Sequence, residues 1–265
     1  MNHPAPKPQW LANTGIRRRG IYWLPNAITT CNLFAGFYAI IQAMSLNFEH
    51  AAAGIFVAMV LDSLDGRVAR LTRTQSEFGA EYDSLCDMVA FGAAPALVMF
   101  EWALKGMGKL GWFAAFIYCA CAALRLARFN TNIDVVDKRY FQGLPSPAAA
   151  GLIAGLIWAM VSYDVMRAKV VWLAWGVTLF AGLTMVSNIR FYSGKDINIR
   201  KSVSFGVVVL IAFSVVGFAQ VAQNLPELLL AIFGVYAASG YVMWGWERLR
   251  KKPTPPPTPS AGSNL

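Results

Sequence analysis

Residues 50–70, HAAAGIFVAMVLDSLDGRVAR, and residues 77–102, EFGAEYDSLCDMVAFGAAPALVMFEW, decide the fold. A helix needs about 20 apolar residues to cross the hydrocarbon core of a bilayer, and each stretch is long enough. Both are apolar over most of their length, yet they carry Asp62, Asp65, Asp83 and Asp87. Asp62 and Asp65 are spaced i, i+3, and Asp83 and Asp87 are spaced i, i+4, so each pair shares one helix face. A short loop around Arg73–Ser76 joins the two stretches. They therefore run antiparallel, and the four carboxylates come to a similar depth. Acidic residues in an apolar span are costly and mark function by default.

The same reading extends in both directions. Further apolar stretches lie near 24–45, 109–130, 147–164, 170–189, 203–223 and 226–246, which gives about eight spans in all. Composition agrees. Hydrophobic residues make up 57% of the chain and charged residues only 14%, against about 25% charged in soluble domains. The net charge is +9, with 23 Lys and Arg against 14 Asp and Glu. In a soluble protein that balance would point to nucleic acid. Here the cations sit in short loops beside apolar stretches and no zinc or RNA-binding pattern accompanies them. Membrane lipids, not nucleic acid, are the expected partner. With the N-terminus inside and the spans alternating, every Lys and Arg except Lys105, Lys109, Arg167 and Lys169 falls on the cytoplasmic side. The expected fold is thus an all-α polytopic transmembrane helical bundle with both termini cytoplasmic.

Residues 1–23 lack an apolar stretch with a cleavage site, so the first span is expected to act as an uncleaved anchor. Trp10, Leu11, Ile16, Ile21, Tyr22 and Trp23 surround Arg17, Arg18 and Arg19. This is the pattern of a segment lying at the membrane interface. A transmembrane catalytic domain is expected over 24–248 and a disordered, Pro-rich cytoplasmic tail over 249–265. Cys31, Cys86, Cys119 and Cys121 all lie in apolar stretches and read as small buried thiols.

Four carboxylates at close range cannot all stay ionised without cations. Hard oxygen ligands select Mg²⁺, Mn²⁺ or Ca²⁺ over zinc. A pair of such ions about 3.5–4 Å apart can clamp both sides of a phosphoryl centre. Gly66, Ala69 and Gly79 remove bulk beside the acids and admit a large ligand, while Arg70 is placed for a phosphate or a carboxylate.

The run Asp62-x-x-Asp65-Gly66-x-x-Ala69-Arg70, then eight residues, Gly79, three residues, Asp83, three residues and Asp87, spans 26 residues. It resembles the signature of the CDP-alcohol phosphotransferase family at every defined position. The resemblance implies that Asp62, Asp65, Asp83 and Asp87 hold Mg²⁺ or Mn²⁺ as a pair of ions. It implies that Asp87 is also the general base for the acceptor hydroxyl, and that Asn32, Asp65, Gly66, Ala69, Arg70 and Gly79 border the CDP-lipid. The acceptor oxygen would attack the β-phosphorus directly, with CMP leaving. A homodimer is implied as well. Nothing resembles a Ser–His or Cys–His nucleophile, and His3 and His50 are remote from the acids in sequence.

Other runs narrow the acceptor. Arg125-Leu-Ala-Arg128-Phe129-Asn130 closes the fourth span, and Phe141-x-Gly143-Leu144-Pro145-Ser146-Pro147-Ala-Ala-Ala150 opens the fifth. With Leu24-Pro25-Asn26 and Asn32, these are similar to membrane-embedded phosphatidylserine synthases of bacteria and archaea. That likeness implies CDP-diacylglycerol and L-serine as substrates and a bacterial inner membrane with the active site facing the cytoplasm. A zwitterion needs a cation for its carboxylate, and Arg125, Arg128, Arg190 and Lys195 are the candidates. Asn130, Ser187 and Asn188 are placed to orient it. The same cations also satisfy the positive-inside rule, and glycerol phosphate, an inositol derivative or choline stay open as acceptors. Gly151 and Gly155 form a small-residue face that serves either the subunit interior or a dimer. A transporter using its acids for ion coupling is the alternative of another class. It predicts acids in matching halves, and the second half has no equivalent set.

Overall fold

The computed structural model describes residues 13–72, 76–131, 140–192 and 224–250. Helix α1 (Asn13–Met44) turns back at 45–47 into α2 (Phe48–Thr72). The turn is closed by backbone N–H groups of Ser45 and Asn47 donating to the carbonyls of Ile41 and Gln42. Ala35, Ala39 and Ala43 form one buried edge of α1 against Ala51, Ala52, Ile55 and Ala58 of α2. Small side chains let two backbones approach closely, which is how helices associate in lipid. Gly54 shows how closely, since a Cβ there would stand 3.2 Å from the Ala35 carbonyl oxygen. On the opposite edge of α1, Phe34, Phe37 and Ile41 are exposed, as lipid-facing positions should be.

The next rod, Glu77–Trp102, consists of α3 (Glu77–Asp87), a π-helical turn at Met88–Ala93 and α4 (Ala94–Trp102). Ser76 caps its start, the hydroxyl accepting from the Gly79 N–H at 3.0 Å. The wide turn has a local cause. Pro95 lacks an N–H, and its ring crowds the carbonyl four residues earlier, which is that of Phe91. The buried Tyr118 hydroxyl donates to this carbonyl at 3.1 Å.

Tyr118 belongs to α5 (Lys109–Thr131), which packs on α7 (Arg167–Val186). A Cβ on Gly182 of α7 would lie 3.0 Å from the Tyr118 Cα. Helix α6 (Ser146–Ser162) is the most enclosed, with Ala149, Ala150, Ile153, Ala154 and Ile157 fully buried. It packs against α8 (Leu225–Arg250). Gly151 faces the Phe233 ring and Gly155 the Leu230 backbone. The small-residue face of α6 thus serves the interior of the subunit.

Among the described residues two three-residue strands join the helices, and the architecture remains the expected all-α membrane helical bundle. Strand β1 (Tyr140–Gln142) pairs antiparallel with β2 (Arg190–Tyr192), Phe141 opposite Phe191. The ribbon ties the entry of α6 to the exit of α7. Beside it the N–H groups of Gly143 and Leu144 donate to the carbonyls of Ile189 and Thr184. Gly143 has φ +77°, and a Cβ there would sit 2.1 Å from the Met185 carbonyl oxygen.

Seven of the eight stretches expected as spans are helical, and 203–223 lies outside the described residues. Among the described residues, five helices are long and apolar enough to cross a membrane. α6 is shorter, and α2 carries Asp62, Asp65, Arg67 and Arg70 near its end. The segment read as interfacial shares one unbroken helix backbone with the first span from Asn13 onward. Leu249 and Arg250, expected to begin the disordered tail, still belong to α8 because the helix runs on to Arg250, while residues 251–265 and 1–12 lie outside the described residues.

Gly143→Ala should destabilise the fold by about 1–3 kcal/mol, because the position demands a positive φ and leaves no room for a methyl group. The check is the thermal midpoint in detergent, where Gly106→Ala, with open space around its Cα, should be nearly neutral.

Candidate active site

α1, α2 and α3 meet at one end of the bundle, and the acids meet there with them. Carboxylate oxygens of Asp62, Asp83 and Asp87 all lie within 4.8 Å of one another, which is close enough to share a cation. Spacing on two antiparallel helices produces this. Asp62 leaves α2 one turn before its polar end, and Asp83 and Asp87 stand one turn apart on α3. Asp65 is not in that trio. It is 3% exposed, and its Oδ2 has no hydrogen-bond partner. It lines the adjacent cleft with Asp83.

Asn32, fully buried on α1, donates its Nδ2 to Asp87 Oδ1 at 3.1 Å. This fixes one carboxylate oxygen of Asp87, and the same carboxyl lies within hydrogen-bond reach of Asp62. Asn32 Oδ1 and Asp83 Oδ1 are also buried without partners. Three orphaned acceptor oxygens around one acidic cluster would carry a large desolvation cost unless something positive meets them. No ion pair within 4 Å joins Arg70 or Arg125 to any of the four acids. A divalent cation fits this donor set, which is all oxygen and mostly carboxylate.

Beside the acids opens a cleft of about 260 Å³. Asp65, Gly66, Ala69, Arg70, Gly79 and Asp83 line it, so the sequence-predicted donor residues are brought together as a group, with Asn32 just behind at Asp87. The Arg70 guanidinium lies over Gly66, 3.6 Å from where a Cβ would be, at ordinary contact distance. At Gly79 a Cβ would come within 3.1 Å of Ser76 Oγ and 3.5 Å of Asn26 Oδ1. Pro25, Asn26, Thr29, Ser76 and Ala80 complete the wall. Thr29 and Ser76 were missed by sequence reasoning. The signal for Thr29 was present, because Asn26, Thr29 and Asn32 repeat every three residues and make a polar stripe on an apolar helix.

The cations expected for the acceptor divide. Arg125 is part-buried and within electrostatic reach of Asp87 and Asp62. Its guanidinium donates to Ser146 Oγ at 2.8 Å and lies over the Phe129 ring at 5.7 Å. Ser146 opens α6 and is fully buried. This partner was not foreseen; only the Ser-Pro start of α6 hinted at it. Arg128 points to the α7 exit, donating to Asn188 Oδ1 at 3.4 Å. Asn130 is tied to Ser84 on the acid helix, its Nδ2 donating to Ser84 Oγ at 3.0 Å. Arg190 is exposed on the ribbon. Lys195 lies outside the described residues.

Comparison with known proteins agrees with this geometry. Residues 22–180 match the CDP-alcohol phosphatidyltransferase family, and the chain belongs to that family. It is an enzyme of the phosphatidyltransferase class set into a membrane helix bundle. Among its relatives is the CDP-diacylglycerol–serine O-phosphatidyltransferase of Helicobacter pylori strain J99, 35% identical over 84% of this chain and 92% of the relative. The protein of the same name from Methanocaldococcus jannaschii is 33% identical over 82% of this chain and 94% of its own. That from Mycobacterium tuberculosis is 41% identical over 53% of this chain and 51% of the relative.

Proposed function

We propose that this chain transfers the phosphatidyl group of CDP-diacylglycerol to the hydroxyl of L-serine, giving phosphatidylserine and CMP. The observation that carries the chemistry is the acid trio standing between a glycine-lined cleft and the part-buried Arg125. The choice of serine is supported by relatives bearing that activity in their names and matching more than four fifths of both chains.

In this reading the cleft between α1, α2 and α3 takes the CDP end of the donor. Gly66, Ala69 and Gly79 give it room, and Arg70 meets a phosphate oxygen. Asp62, Asp65, Asp83 and Asp87 would hold the divalent ions, Mg²⁺ or Mn²⁺ as a pair. Such ions neutralise the pyrophosphate and stabilise CMP as the leaving group. Asp87 has one oxygen fixed by Asn32, so its other oxygen is held in place to accept the proton of the serine hydroxyl. The freed oxygen attacks the β-phosphorus in line with the departing CMP, so no covalent enzyme intermediate is needed. Arg125 lies on the acceptor side and offers a bidentate site for the serine carboxylate. Arg128, Asn130, Arg190 and Lys195 border that side.

The membrane arrangement in this reading is eight spans with both termini and the active site at the cytoplasmic face of a bacterial inner membrane. Support comes from the end of the bundle that carries the acids, which also carries Arg67, Arg70, Arg125, Arg128 and Arg190. A homodimer is the assembly the family resemblance implies, and mass photometry in nanodiscs tests it.

The first test is CMP release by the purified chain with CDP-diacylglycerol and Mn²⁺ or Mg²⁺. L-serine should support release and EDTA should abolish it. Glycerol 3-phosphate, inositol, inositol phosphate and choline should not support it; release with one of these in place of serine overturns the acceptor. Asp87→Asn should lower kcat by about 10²–10⁴-fold, the usual contribution of a general base, with the variant still folded and binding donor. Near-normal turnover would remove Asp87 from that role. Arg125→Ala should raise the serine KM by about 10–100-fold, the worth of a charge-assisted contact, and change the donor KM far less. An unchanged serine KM would place the carboxylate elsewhere, with Arg128→Ala the next variant to measure.

A further inference from the structure

The π-helical turn at Met88–Ala93 begins at the residue after Asp87, and nothing in the reaction above uses it. Its surroundings are nonetheless highly constrained. Pro95 deprives the Phe91 carbonyl of its ordinary helical N–H, and within an apolar bundle an unpaired carbonyl is costly. Tyr118 meets it from α5 at 3.1 Å, and both residues are fully buried. On its other side the turn presses against α1. A Cβ on Gly36 would stand 2.6 Å from the Ala90 Cα, so helix and turn are in backbone contact there. Gly36 is one turn beyond Asn32, the residue that donates to Asp87. Asp87 and the side chain that orients it are therefore both referenced to the same π turn, and Tyr118 holds that turn from behind.

We propose that Tyr118 is a positioning residue for the acid cluster. Its hydroxyl locks the π turn through the Phe91 carbonyl and so sets where Asp87 stands relative to Asp62, Asp83 and Asn32. The inference rests on the reading of Asp87 as a metal ligand.

The test is Mn²⁺ binding to the purified full chain without lipid or acceptor, read from the free-ion electron paramagnetic resonance signal and accompanied by kcat and KM. Tyr118→Phe removes one oxygen and keeps the ring. It should weaken Mn²⁺ binding by about tenfold, the lower range for groups that orient metal ligands. The kcat should fall in step, with the serine KM within about twofold of wild type on the same grounds. Ile157→Ala, which opens a cavity in the buried core of α6, controls for general loosening and should lower thermal stability without moving Mn²⁺ affinity. Wild-type Mn²⁺ affinity in Tyr118→Phe overturns the proposal, as does a loss that Ile157→Ala reproduces at equal thermal stability. Asp87→Asn separates the two readings. Unchanged Mn²⁺ affinity there removes Asp87 as a ligand and the proposal with it. A loss there beside wild-type affinity in Tyr118→Phe overturns the role of Tyr118 alone.

Discussion

Carboxylates held against one another inside an apolar bundle dominate the architecture of this protein. Three of them fall within a single ion's reach, and a fourth is buried with an oxygen unpartnered. Such a cluster is tolerable only if its position is fixed and a cation can reach it. Both conditions shape the neighbouring chain. Fixing comes from Asn32, from the alanine edge that brings α1 and α2 together, and from the short approach of Gly36 to the π turn. Access comes from the absence of side chains at Gly66 and Gly79. The alanine edge and Gly36 also serve helix packing, whereas the buried amide of Asn32 and the bare Cα atoms of Gly66 and Gly79 add little to it. They make sense as the surroundings of the acids.

The hairpin was legible in the sequence for the same reason it is costly. Acids at i, i+3 and i, i+4 in apolar stretches have few explanations, and their helices could be placed to within a few residues. A cleft at Gly66, Ala69, Arg70 and Gly79 was expected, because small residues next to charged ones on a helix face imply a bulky ligand, which we propose is the donor. Less legible was whatever depends on a partner far along the chain. Pro95 is visible, but its consequence depends on Tyr118, more than 20 residues away on another helix. Gly151 and Gly155 announce close packing without saying whether α8 or a second subunit supplies it. The β-ribbon is three residues per strand, too short for an alternating pattern to stand out between basic loops. Thr29 sits in an apolar helix, where threonine commonly bonds its own backbone, as it does here to Pro25.

The basic residues show where a one-dimensional reading stops. Arg125 and Arg128 are equivalent in sequence, one turn apart at a span end. Their partners separate them. Arg125 is drawn inward by Ser146 and the neighbouring acids, whereas Arg128 is turned toward the exit of α7. Positive-inside statistics treat both alike, because they concern the loops and not the direction a guanidinium takes.

The anchoring of Arg125 bears on how the proposed transfer can be direct. In-line displacement needs donor phosphorus and acceptor oxygen aligned at once, so two subsites must be held in register without a covalent intermediate to bridge them. The donor cleft belongs to α1, α2 and α3, and Arg125 belongs to α5. Two contacts tie these parts together: Ser84 on the acid helix with Asn130 at the end of α5, and Tyr118 of α5 with the π turn behind Asp87. Arg125 is meanwhile braced by Ser146 rather than by the acids themselves. Its position is therefore set in part by a contact that does not change with the charge state of the cluster. A cation fixed by a neutral hydroxyl can stay in place while charge builds and disperses on the acids beside it, and a direct displacement needs that constancy on its acceptor side.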